Sequence, residues 1–162
     1  MKLAPWYTVS EKMLKYHFVT EWRFKTAADR VWAAIRDVES MPLWWPGVKK
    51  AQIRGGDKTL KVGTSINCRV AGLLGGLNFT LVVAEIEPDK KLLLKSSGDL
   101  EGSGLWTLEM QGDQTLTRFC WEVTTTGRLM NLVGLFLRPL LAWNHNRVMA
   151  AGYKKLKSRL ET

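Results

Sequence analysis

The sequence predicts an α+β domain in which a curved, seven-stranded antiparallel sheet wraps one long C-terminal helix. Three observations carry that prediction. A two-residue hydrophobic period dominates about half of the chain, short glycine-rich links break it into six successive runs, and a helical period returns from Leu129 to the end. Short links between successive strands leave room only for antiparallel neighbours, because a parallel crossover takes a dozen or more residues.

The elements follow in order. Tyr16 to Phe24 alternates, with Tyr16, Phe18, Thr20, Trp22 and Phe24 on one side, and is the seventh strand. Thr26 is placed to cap a helix with Asp29 in its first turn, and Val31, Trp32, Ile35 and Val38 recur at helical spacing. That helix should end near Glu39 or Ser40, since Pro42 disfavours helical geometry at Met41. Leu43-Trp44-Trp45-Pro46-Gly47 reads as a compact aromatic turn. Strands are then expected at Lys49 to Arg54, Gly63 to Ala71, Asn78 to Glu87, Lys91 to Ser97, Leu100 to Met110 and Thr115 to Thr126. The terminal helix should kink or restart at Pro139, with Leu137, Leu141, Val148, Gly152 and Leu156 as one apolar stripe and Arg147, Lys154 and Arg159 opposite. Counting the aromatic turn as a second short element, the order is β-α-α-β6-α. Residues 1–15 form an N-terminal extension and 16–162 a single domain.

Composition narrows the class. At 162 residues with 46 % hydrophobic residues and 8 Trp, the chain can bury a sizeable core, which excludes a disordered tail. Two cysteines, Cys68 and Cys120, cannot staple a domain of this size, so a reducing compartment is expected. No apolar leader opens the chain and no run reaches a membrane-spanning length, which together predict a cytoplasmic protein. The net charge is +9, and six basic residues against one acid between Arg138 and Thr162 supply +5 of it. The plain reading is a solvated helix face that complements the helix dipole; the sharper one is contact with an anionic membrane surface. No zinc spacing, RNP motif or recognition helix supports nucleic-acid binding.

Pairing the last two strands across Gly112-Asp113 sets Trp106 opposite Phe119, Gly104 opposite Trp121 and Gly102 opposite Val123. One face is therefore aromatic, with empty space expected above Gly102 and Gly104, because strand glycines mark a bend or a close approach. The opposite face pairs Thr107 with Arg118, Leu105 with Cys120 and Ser103 with Glu122, and should face outward. A curved sheet lined in this way can be held off its helix, leaving a cavity.

Four segments carry a resemblance: Phe24-Lys25-Thr26-Ala27-Ala28-Asp29-Arg30-Val31-Trp32, Leu43-Trp44-Trp45-Pro46-Gly47-Val48, Gly98-Asp99-Leu100-Glu101-Gly102-Ser103-Gly104-Leu105-Trp106 and Trp143-Asn144-His145-Asn146. In order and spacing the chain resembles the START-like (SRPBCC) superfamily, in its polyketide cyclase/dehydrase-like, lipid-transport-like branch, over Tyr16 to Leu160. The resemblance implies a helix-grip fold around a deep apolar cavity. Members of that superfamily include lipid and quinone carriers, hormone receptors, aromatase/cyclases and hydrolases, so the fold alone does not fix an activity.

The expected partner is a small hydrophobic ligand, aromatic, polyketide- or lipid-like, walled by Trp44, Trp45, Gly102, Gly104, Trp106, Phe119, Trp121, Leu141 and Val148. His145 and Asn144 lie at the margins of the helix stripe. They are either polar contacts that orient the ligand or, in a cyclase/dehydrase reading, an acid/base histidine with an amide to hold the oxyanion. The bland alternative has both bonded to backbone or buried water. A third reading is a membrane-docking lipid or quinone chaperone using the basic terminal helix and the apolar segments Leu73-Leu74-Gly75-Gly76-Leu77 and Leu129 to Leu137. Carboxylates such as Asp37, Asp99, Glu101 and Glu122 form no catalytic pair, and with only His17 and His145 a metal site has little support. No nucleotide or dinucleotide motif is present, so no cofactor is implied.

Overall fold

The computed structural model describes residues 15–72, 75–126 and 128–161, with the side chains of 128–138 and 141 outside the description. The expectations for Leu73, Leu74, the Leu129 to Leu137 lead-in, the Leu141 side chain and all of the N-terminal extension but Lys15 thus lie outside the described residues.

The chain runs β1 (Lys15–Phe24), α1 (Ala28–Arg36), a 3-10 turn (Val38–Ser40), α2 (Met41–Trp44), β2 (Val48–Ile53), β3 (Ser65–Gly72), β4 (Gly75–Glu87), β5 (Lys91–Gly98), β6 (Leu100–Gln111), β7 (Gln114–Thr125) and α3 (Arg128–Leu160). The seven strands form one antiparallel sheet in the order β1-β7-β6-β5-β4-β3-β2, so the first strand closes on the last. The β6–β7 register sets Trp106 against Phe119, Gly104 against Trp121 and Gly102 against Val123, as the two-residue link implies.

Local departures from the sequence reading have physical causes. Helix α1 stops at Arg36 because Asp37 leaves helical geometry (φ −80°, ψ 67°) while its N–H still bonds Ala33 O; a 3-10 turn completes the segment. Its N-cap is Ala27 rather than Thr26, whose carbonyl instead accepts the Thr115 hydroxyl at 2.7 Å. The expected aromatic turn contains a helical turn, α2. Met41 is helical (φ −51°, ψ −41°) although Pro42 follows it, since proline is tolerated where a helix begins and its missing N–H would have no partner. Strand β4 starts at Gly75, three residues early, because Gly72 and Gly75 pair across a link of only two residues. Helix α3 passes through Pro139 without a restart.

The core lies where α1, α2 and α3 meet the inner sheet face. Phe24, Val31, Ile35, Trp44, Ile66, Leu92 and Leu156 are fully buried there. A second cluster, Phe79, Leu100 and Val123, lies elsewhere on the inner face. Two polar ties pin the C-terminal part of α3 to β1. Tyr153 donates its hydroxyl to Arg23 O at 2.7 Å, and the Lys25 backbone N–H donates to Glu161 Oε1 at 2.7 Å. The Tyr153 ring also stacks on Trp22, with centroids 5.8 Å apart. Each bond contributes about 1 kcal/mol, and together they fix where the helix lies on the sheet.

Candidate functional site: an apolar cavity beneath the long helix

A cavity of about 240 Å³ separates the inner sheet face from α3. Its aromatic wall is one run of rings. Trp106 stacks on Phe119 (4.4 Å, 25°), Phe119 on Trp121 (5.7 Å, 25°), and Trp121 meets Phe79 at 6.0 Å. Strand periodicity places these rings, since positions 104, 106 and 108 of β6 face inward and their partners on β7 follow the register. Across the space stand Asn144, His145, Val148 and Met149 of α3, which recur on one helix face.

Two glycines set how closely α3 approaches. Gly152 lies under the Trp45 indole, where a Cβ would meet Cδ1 at 2.7 Å, and Gly47 takes the Val148 side chain where its own Cβ would be. Trp45 thereby reaches the cavity while still bracing the helix.

Of the residues named from sequence, Trp45, Trp106, Phe119, Trp121, Val148, Asn144 and His145 line the cavity. Trp44 does not. It is 1 % exposed and stacked flat against Trp45 (5.4 Å, 14°); Trp45 ends the helical turn in an extended conformation (φ −111°, ψ 97°) and is the one of the pair that reaches the space. Gly102 and Gly104 also stand off the lining, and the space expected above them is occupied. The Trp121 ring covers Gly104, with Cε3 2.7 Å from where a Cβ would sit. Gly102 has φ +150° and abuts the Glu122 carbonyl, so it marks a backbone contact.

Sequence reasoning passed over Phe18, Phe79, Cys68, Leu100, Val123 and Met149 as wall residues. For Phe18 the signal was present, because it alternates in phase with the buried Trp22. Its ring stacks on the His145 imidazole at 4.0 Å and 14°.

The electrostatics are set by exclusion of charge. Among the described residues no Lys, Arg, Asp or Glu lines the cavity. Burial pushes the Cys68 thiol up to about 12, which leaves it protonated and a poor nucleophile at neutral pH. Burial lowers His145 to about 4, and its Nε2 meets no hydrogen-bond partner among the described residues. The imidazole is therefore neutral at physiological pH and offers one ring nitrogen to whatever enters. No group of three His, Cys, Asp or Glu among the described residues gathers to hold a metal ion. Outside the cavity, the other histidine, His17, bonds Glu122 at 2.9 Å on the exposed face of β1 and β7. Trp143 is 56 % exposed on α3, with the Arg147 guanidinium 5.5 Å from its ring centre.

The His145 shift has a sign that can be measured. Its pKa is depressed in the folded chain, so the unfolded chain takes up the proton first. The stabilisation is complete above about pH 6.5 and drains away as pH falls toward about 4. Unfolding free energy should fall by on the order of 1–2 kcal/mol over that interval, allowing for partial exposure of the ring. His145→Gln should remove that part of the slope in urea titrations run from pH 7 to pH 4.5; an unchanged slope would show that the ring is solvated.

A curled antiparallel sheet closed by a C-terminal helix over an uncharged hollow defines a helix-grip, ligand-cavity class of protein. The chain belongs to the polyketide cyclase/dehydrase and lipid transport family, whose description matches residues 15–161. Among solved structures it is similar to TTHA0849 of Thermus thermophilus, with 16 % identity, TM-score 0.74 and coverage of 90 % of this chain and 97 % of that one. It is also similar to the Zhui aromatase/cyclase of a Streptomyces species (15 %, TM-score 0.71, 91 % and 94 %) and to a START superfamily protein of Mycobacterium smegmatis (16 %, TM-score 0.66, 90 % and 97 %). At these identities the likeness establishes the fold. No curated protein matches the sequence. No helix among the described residues is long and apolar enough to cross a membrane.

Proposed function

We propose that the protein binds a small, neutral, largely apolar molecule, aromatic or lipid-like, in the cavity between the sheet and α3. The observation that carries this reading is a hollow of about 240 Å³ with an aromatic wall and no charged lining residue among those described. Its size exceeds the ~150 Å³ hydrocarbon-lined cavity that takes up benzene and lies just under the ~300 Å³ lower end of ordinary ligand pockets. A compound of one or two fused rings fits that range. An ionised ligand would lose its hydration with no counter-charge to replace it, at a cost of several kcal/mol, so a neutral one is favoured. Asn144 and the free Nε2 of His145 supply the polar contacts, which suits a ligand carrying a hydroxyl or carbonyl group.

Catalysis asks more of the same residues. A base with a pKa near 4 holds a proton weakly, two to three orders of magnitude less firmly than an imidazole poised near pH 7, and efficiency in proton abstraction follows that strength. Binding and orientation therefore fit His145 better than acid–base turnover. The test is native mass spectrometry of the purified protein. A retained neutral species of low mass, released on denaturation, is the expected result. A protein that emerges at its bare mass and then takes up no apolar aromatic compound from a panel would end this reading.

A further inference from the structure

We propose that the outer face of the sheet carries a second site, which takes a phosphate group borne on a small soluble organic molecule. Opposite the cavity, β2 to β5 enclose a depression of about 420 Å³ whose outward side chains include Lys50, Asn67, Arg69, Asn78, Thr80 and Ser97. Alternation explains the division of labour. Ile66, Cys68 and Val70 of β3 line the inner cavity, while Asn67 and Arg69 between them point out.

The register brings these donors together. Lys50 faces Arg69, Arg69 faces Asn78, Asn67 faces Thr80, and Thr80 faces Ser97 across four neighbouring strands. Two like charges directly opposite one another on adjacent strands repel. Seven ion pairs occur among the described residues, yet neither Lys50 nor Arg69 joins one. The acid tied to this group is Asp99, and its Oδ2 already accepts the Asn78 backbone N–H at 2.8 Å. The site thus holds two cations that form no ion pair among the described residues.

Two further contacts aim the donors. The Thr80 hydroxyl donates to Asn67 Oδ1 at 3.4 Å, so that bond engages the amide oxygen and not the amide N–H groups. A Cβ on Gly76 would lie 2.8 Å from Arg69 Nε, so the bare backbone there lets the guanidinium lie along β4. Guanidinium, ammonium, amide and hydroxyl donors suit an oxyanion with three or more acceptor oxygens, and the guanidinium fork suits phosphate in particular. The depression is larger than a bare phosphate, which is why an organic ester is inferred.

The test uses inorganic phosphate as the first probe, titrated at constant ionic strength against chloride while backbone amide shifts are recorded. Saturable shifts at residues 50, 67, 69, 78 and 80 are expected, and Lys50→Gln with Arg69→Gln should weaken them at least tenfold, whereas Lys154→Gln with Lys155→Gln on α3 should not. A drift that never saturates, or equal affinity in the Lys50/Arg69 double variant, would overturn the site. Phenyl phosphate and phosphatidic-acid vesicles then separate the sources. Phenyl phosphate binding more tightly than inorganic phosphate supports the soluble ester, while vesicle binding that depends on Lys50 and Arg69 without such a gain overturns it in favour of a lipid headgroup.

Discussion

Trp44→Ala should cost about 3–5 kcal/mol of unfolding free energy, the range for deleting a fully buried large aromatic side chain, and should leave the cavity wall in place. Trp44 is 1 % exposed, stacked on Trp45 and packed in the main core, away from the cavity lining. The loss is a large share of the ~5–15 kcal/mol that holds a domain together, so Trp44→Phe, which keeps a ring in place, serves as the milder companion. Urea unfolding of both variants gives the stability change, and titration of the milder one with an apolar fluorescent probe gives the affinity. A Trp44→Phe variant with native midpoint but several-fold weaker probe binding would return Trp44 to the cavity wall.

Ala51→Phe should abolish binding in the cavity, weakening an apolar probe at least tenfold, which corresponds to about 1.4 kcal/mol or more. Ala51 is 7 % exposed on β2, lines the cavity and pairs with Cys68. A phenyl ring in place of its methyl group enters the 240 Å³ hollow, where it finds apolar neighbours on every side. Overpacking strain of about 1–3 kcal/mol is offset by the ring's burial, so the melting temperature should shift by only a few degrees. Gln52→Phe, one residue on and outward-facing, is the control with unchanged affinity. Retention of full affinity by Ala51→Phe would place the ligand elsewhere.

Much of the fold was legible because its rules are local. The Gly112-Asp113 link fixed the β6–β7 register, and with it the stacking of Trp106 on Phe119. The phase of β1 put Phe18 on one face with Trp22 and Phe24, and the structure turns that face inward. What local rules could not reach were choices made by tertiary packing. Which of Trp44 and Trp45 reaches the hollow goes with the extended conformation that ends α2 at Trp45 and with the room that Gly152 of α3 leaves for its indole. The space over Gly104 depended on the Trp121 side chain, whose ring settled onto the glycine. Likewise the depressed His145 pKa comes from burial contributed by several strands, and no neighbour in sequence announces it.

Strand β1 precedes the other described strands, yet among them it pairs with β7 alone, with Phe18 against Trp121 and Phe24 against Thr115. During synthesis the β1 backbone must wait for this strand partner until roughly ninety further residues have emerged, and closing so long a loop is entropically slow. The seam between β1 and β7 is therefore the last pairing of the sheet that a growing chain can complete, and until residue 115 has emerged both strands that flank it lack this neighbour.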